Sequence, residues 1–201
     1  VLLSLAAPVG AQAAVEVTQD RNVVVVRNGA DVLKLSVCAD GVVRVLASPD
    51  GKAAASSPSQ PWFSKPCEAQ AVSLTDATGA GTGVNTASGE GVSAATAKVL
   101  ATGNLRVSIS LKDGTLTFLA PDDRILLQET GERPRIFEPL KLSDGSPAYK
   151  VTARFHPVLR QGIYGLGQHQ SGQFNYHGAT VRLAQANADI AHPLMMSTEG
   201  Y

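Results

Sequence analysis

The chain has 201 residues, 44% of them hydrophobic and 17% charged, enough for one large domain with a buried core. Its 17 basic and 17 acidic residues balance. That balance leaves no electrostatic footprint for nucleic acid or an anionic membrane, and suits an uncharged partner such as a sugar and any ordinary domain equally.

The first residues, Val1-Leu2-Leu3-Ser4-Leu5, begin an apolar stretch that ends in Ala11-Gln12-Ala13. Small residues at this cleavage spacing make 1–14 part of a secretory signal peptide, with a first buried strand as the other reading. The stretch is too short to span a bilayer. Export puts the protein in the periplasm or outside the cell, where Cys38 and Cys67 can bridge. Two separate small apolar thiols are the alternative, and two cysteines alone do not build a structural zinc site.

From Val15 the chain reads as a run of strands. Asn22–Arg27 is β-branched almost throughout, and Asn28-Gly29 is a hairpin signal. In Val32–Ala39, Leu33, Leu35 and Val37 alternate with Lys34 and Ser36. Asp40-Gly41 then turns the chain into Val42–Ala47, completing a meander with one wet face. The segment 48–66 is rich in Pro, Ala and Ser and reads as a loop. Its Trp62-Phe63 pair either staples that loop to the core or offers a platform for a sugar. A short strand near Ala71–Thr75 leads into Ala77–Gly91, whose Gly, Thr, Ala and Ser predict a surface loop.

The clearest hairpin is Leu105–Leu119. Leu105, Val107, Ile109 and Leu111 alternate with polar residues, Asp113-Gly114 supplies the turn, and Leu116 and Phe118 continue the buried face. Asp122-Asp123 predicts another turn before Ile125. Tyr149, Val151, Ala153 and Phe155 alternate again. Short strands between Gly, Asn and Asp turns, with no convincing amphipathic helix, predict an all-β antiparallel sandwich over 15–201. Val181–Ala191 lacks a cap and a helical period, so it reads as extended or loop.

Chemistry concentrates in Gly162–Tyr201. Gly165-x-Gly167 lacks the third glycine of a dinucleotide fingerprint, since Gln170 stands there, so tight backbone packing at a strand end is the reading. His156, His169, His177 and His192 have no partner at metal-ligand spacing, and no metal or other cofactor is expected. Asp189 and Glu199 do not form the matched carboxyl pair that a glycosidase needs. The amides Gln168, Gln170, Gln173, Asn175, Gln185 and Asn187 both donate and accept, which suits sugar hydroxyls. Phe174 and Tyr176 offer ring faces to a pyranose. Backbone capping is the alternative role for each amide.

Tyr164-Gly165-Leu166-Gly167-Gln168, Asn175-Tyr176-x-Gly178, Gln185-x-Asn187, Pro193 and Ser197–Tyr201 together resemble a known pattern. It is that of the N-terminal, galactose-mutarotase-like β-sandwich of glycoside hydrolase family 31, the retaining α-glucosidases and α-xylosidases. The wording Gln168-His169-Gln170-Ser171-Gly172 with Asn175-Tyr176 looks most like the α-xylosidase branch. The resemblance implies a sandwich that supports a (β/α)8 barrel and lends a rim loop to its pocket. It also implies that the catalytic aspartates lie downstream of Tyr201, in that barrel. Gln185, Asn187, Phe174 and Tyr176 are then the substrate-binding candidates, with an α-linked oligosaccharide as substrate. The rival reading is a free-standing carbohydrate-binding or adhesive sandwich without catalysis.

Overall fold

The computed structural model describes residues 14–51, 67, 70–77, 96–130, 133–156, 160–185 and 187–201. The apolar leader, the Trp62-Phe63 pair and the loop 78–91 lie outside the described residues. Thirteen strands and no helix occur among the described residues, in two compact units, Val1–Arg154 and Phe155–Tyr201.

In the first unit β1 (Glu16–Asp20), β2 (Val23–Asn28), β3 (Asp31–Ala39) and β4 (Val42–Ser48) form an antiparallel sheet in chain order. A second sheet takes β5 (Ser73–Ala77), β6 (Ala97–Ala101), β7 (Arg106–Ser110), β8 (Leu116–Leu119) and β9 (Ile125–Gln128), also in chain order. The inward residues of both sheets share one core. Val24, Val26, Leu33 and Leu35 from the first meet Leu100, Val107, Ile109 and Leu116 from the second. Burying each such side chain contributes about 1.5–3 kcal/mol. The alternation read from the sequence therefore names the facing surfaces of a sandwich.

Details of the turns depart from the reading. Asn28 pairs with Asp31, so the two-residue loop is Gly29-Ala30, with Gly29 at φ 61°. Glycine at the first loop position supplies the positive φ that such a turn needs. Asn28 is thereby freed to donate from Nδ2 to the Asp113 carbonyl at 3.0 Å, tying this hairpin tip to the β7–β8 turn. A second tie comes from Asp40, whose carboxylate accepts from the Asn104 backbone N–H (2.8 Å) and side-chain amide (2.7 Å). Both ties run between the sheets, and both use turn residues.

Cys38 and Cys67 are bridged, their Cα atoms 4.8 Å apart. Gln70 continues the attachment by donating to the Val37 carbonyl at 2.8 Å. Closing a loop with a sequence separation of 29 contributes roughly 3–4 kcal/mol. Reduction is expected to lower Tm by about 6–16 °C, at roughly 2–4 °C per kcal/mol. Alkylation of the folded, unreduced protein should add no mass, and two alkylated cysteines would reject the bridge.

β10 (Arg135–Lys141) and β11 (Pro147–Ala153) form a hairpin of their own. Here the alternation of Tyr149 and Val151 marks an apolar face without placing it in the core: they are 47% and 58% exposed. In β7–β8 the reverse holds. Ser108 and Thr117, on the face read as wet, are buried.

Candidate functional site

The second unit is built on β12 (Ile163–Gln168) and β13 (Ile190–Ser197). Their pairing is irregular between Gly165 and Gly167: Gly165 faces Met195, while Gly167 faces Ala191. Three residues of β13 thus stand opposite Leu166, and Pro193 falls among them, where no ladder N–H is needed. Gly165 and Gly167 sit at φ 95° and 105°, and Leu166 between them at 62°. A Cβ on Gly165 would come within 2.5 Å of the Leu194 carbonyl oxygen, and one on Gly167 would collide with that of Ile190. The glycine pair therefore serves backbone packing at a strand end, as the missing third glycine implied.

The loops between the strands are held by amides. Asn175 Oδ1 accepts from the backbone N–H of Ile163 and of His177, both at 3.0 Å. Gln173 Nε2 donates to the Asn175 carbonyl at 3.0 Å. Gln185 clasps Ala191 with both ends of its amide, donating to the carbonyl and accepting from the N–H at 3.2 Å each. Asp189 joins the two loop segments, its Oδ1 accepting from the Gln170 N–H at 3.0 Å. The buried Gln161 donates to Ser197 Oγ at 2.5 Å and to the Tyr201 hydroxyl. Nothing in the sequence set Gln161 apart, because an amide before a strand carries no period or turn signal.

The rings divide in the same way. Phe174 is 81% exposed and tilts against Tyr164 with centroids 5.1 Å apart. Tyr176 is 9% exposed and meets His169 edge to face at 6.1 Å. Its N–H also donates to the Ile163 carbonyl at 2.8 Å, fixing the segment that presents Phe174. Residues 181–185 and 187–189 have no regular structure, as read, and the strand begins at Ile190. Asn187 is exposed, and its amide makes no hydrogen bond among the described residues. Of the four candidates, then, Phe174 and Asn187 are exposed. Gln185 and Tyr176 hold the loops that carry them.

The Asp189 carboxylate is engaged in joining loops. Among the described residues no group of three or more His, Cys, Asp or Glu could hold a metal ion.

No family profile matches the chain. An α-xylosidase of Saccharolobus solfataricus is 32% identical over 71 residues, 31% of this chain and 10% of that protein. The crystal structure of a family 31 α-xylosidase from Xanthomonas citri superposes with a TM-score of 0.68 at 29% identity, covering 85% of this chain. A family 31 α-xylosidase from a soil metagenome, solved with xylose, gives 0.70 at 21% identity over 92% of the chain. The chain spans 16% and 27% of these two solved enzymes. In sequence and in fold, the chain is similar to the N-terminal part of glycoside hydrolase family 31 enzymes, α-xylosidases among them.

Proposed function

We propose that this sandwich is the rim-forming domain of an exported retaining α-glycosidase of α-xylosidase type, which removes a terminal α-linked sugar from oligosaccharides. The observation that carries the reading is that Phe174, 81% exposed, and the unengaged Asn187 amide both stand exposed on loops joined by Asp189. A ring face and a neutral amide are the chemistry of a pyranose subsite. In this reading the nucleophile and acid/base come from the barrel, and the sandwich orients the sugar without touching the proton transfers.

In the complete enzyme, Asn187→Ala is expected to lower kcat/KM by about 5- to 150-fold, the loss of one substrate hydrogen bond worth roughly 1–3 kcal/mol. Tm should shift by no more than a surface change of about 0.5 kcal/mol allows. Gln185→Ala should lower both quantities, since its amide closes the loop. A destabilised Asn187→Ala enzyme with unchanged kcat/KM would make Asn187 a structural amide. The isolated chain should release nothing from aryl α-xylosides; turnover abolished by changing Asp189 or Glu199 would overturn the division of labour.

A further inference from the structure

The first unit carries a cleft of its own, where the β2–β3 turn, the β7–β8 turn and the base of the β10–β11 hairpin meet. Its volume is about 570 Å³, inside the roughly 300–1,000 Å³ typical of small-molecule sites. Ile136 and Phe137 give it apolar surface, over the buried Val26 and Leu33 at its floor. The Phe137 ring is braced by Tyr149, edge to face with centroids 6.2 Å apart.

The polar groups lining the cleft are of two kinds. Some are already engaged and make the walls rigid. Arg135 pairs with the buried Glu129 and donates to the Gly114 carbonyl at 2.9 Å. Asp113 accepts from the Thr115 N–H at 3.1 Å and hydroxyl at 2.8 Å, while its own carbonyl takes the Asn28 amide. Burial pushes the Asp113 carboxyl up, but hydrogen bonds from Ser110 and Thr115 and the Lys112 charge outweigh it and hold the group below its ordinary value. It stays an acceptor at neutral pH.

The others are unengaged. The Arg133 and Arg154 guanidiniums and the Asp31 carboxylate make no hydrogen bond or ion pair among the described residues, although all three line the cleft. Arg154 is anchored through its backbone, donating to the Pro134 carbonyl at 2.7 Å. With Glu129 counted beside Arg135, three cations face three anions, so the site as a whole is neutral. An anionic ligand would gain from the arginines and lose to Asp31 and Asp113. A ligand whose groups donate and accept at once satisfies both kinds of wall, and hydroxyls do this. A braced aromatic ring among them matches the apolar face of a pyranose.

We propose that this cleft is a binding site for a neutral oligosaccharide, with one sugar ring on Phe137 and its hydroxyls shared between Asp31, Arg133 and Arg154. It belongs wholly to the first unit and uses none of the residues assigned to the rim.

The test is calorimetric titration of the full chain with xylotetraose and maltotetraose, with tetragalacturonate as the charged counterpart. Saturable binding of a neutral tetrasaccharide is expected. Asp31→Asn and Arg154→Gln should each weaken it roughly 5- to 10-fold, with Tm held because both side chains are exposed. Asn187→Ala should leave it unchanged, which separates this site from the rim. Absence of binding by both neutral sugars, indifference to both cleft variants, or preference for tetragalacturonate would each overturn the proposal.

Discussion

Gly167→Ala is expected to break the β12–β13 pairing. The added Cβ would collide with the Ile190 carbonyl oxygen and lie 2.9 Å from the His192 nitrogen, and both are backbone atoms that cannot swing aside. The alanine would also have to hold φ at 105°, where L side chains are strained. Backbone strain of roughly 1–3 kcal/mol and steric repulsion of about 1–3 kcal/mol add to about 2–6 kcal/mol. The expected readout is loss of amide exchange protection in Ile163–Gln168 and Ile190–Ser197, with early proteolytic cleavage between them. Gly172→Ala, whose new Cβ would meet nothing within 4 Å, should cost far less despite its own positive φ of 69°. Equal losses in the two variants would show that φ alone, and not the close approach, makes Gly167 necessary.

Glu129→Ala should have an effect of similar size in the first unit. Glu129 and Arg135 are 6% and 15% exposed, and Glu129 also accepts from the Leu116 N–H at 2.8 Å. Removing the carboxylate leaves a largely buried guanidinium without its counter-charge and a buried N–H without its acceptor. The loss is about 3–5 kcal/mol for a buried pair broken on one side. That corresponds to a fall in Tm of about 6–20 °C. Replacing both residues with apolar ones, Glu129→Leu with Arg135→Met, should recover a large part of the loss, because no charge is then stranded. A double variant as unstable as the single would mean that the pair acts through geometry and not through its charges.

Much of the sandwich is legible along the chain. Leu105–Leu119 alternates strictly around Asp113-Gly114, and the structure buries Val107, Ile109 and Leu116 just there. The glycine pair of β12 is also legible, since a fingerprint lacking its third glycine leaves close backbone approach as the reason for two. The resemblance in Gly162–Tyr201 points to the family, and the sequence and fold likenesses agree with it.

Other features could not be read in this way. Asn175 and Asn187 are the same side chain twelve positions apart in one loop-rich stretch. The fold turns the first onto two backbone N–H groups and leaves the second open. Phe174 and Tyr176 likewise look interchangeable, yet one is 81% exposed and the other 9%. The exposure of Tyr149 and Val151 was hidden for a related reason. Period two identifies a shared face of a strand but carries no information on what packs against it.

The sequence by itself determined many of the strands and most of their turns, and pointed to the family, because periodicity and turn chemistry act between near neighbours. Tertiary structure alone decided the Cys38–Cys67 bridge, the burial of Glu129 against Arg135, and which amides and rings stay exposed. Those outcomes depend on where separate strands bring their side chains. A bond spanning 29 residues, or a charge losing its water, exists only after the sheets have packed.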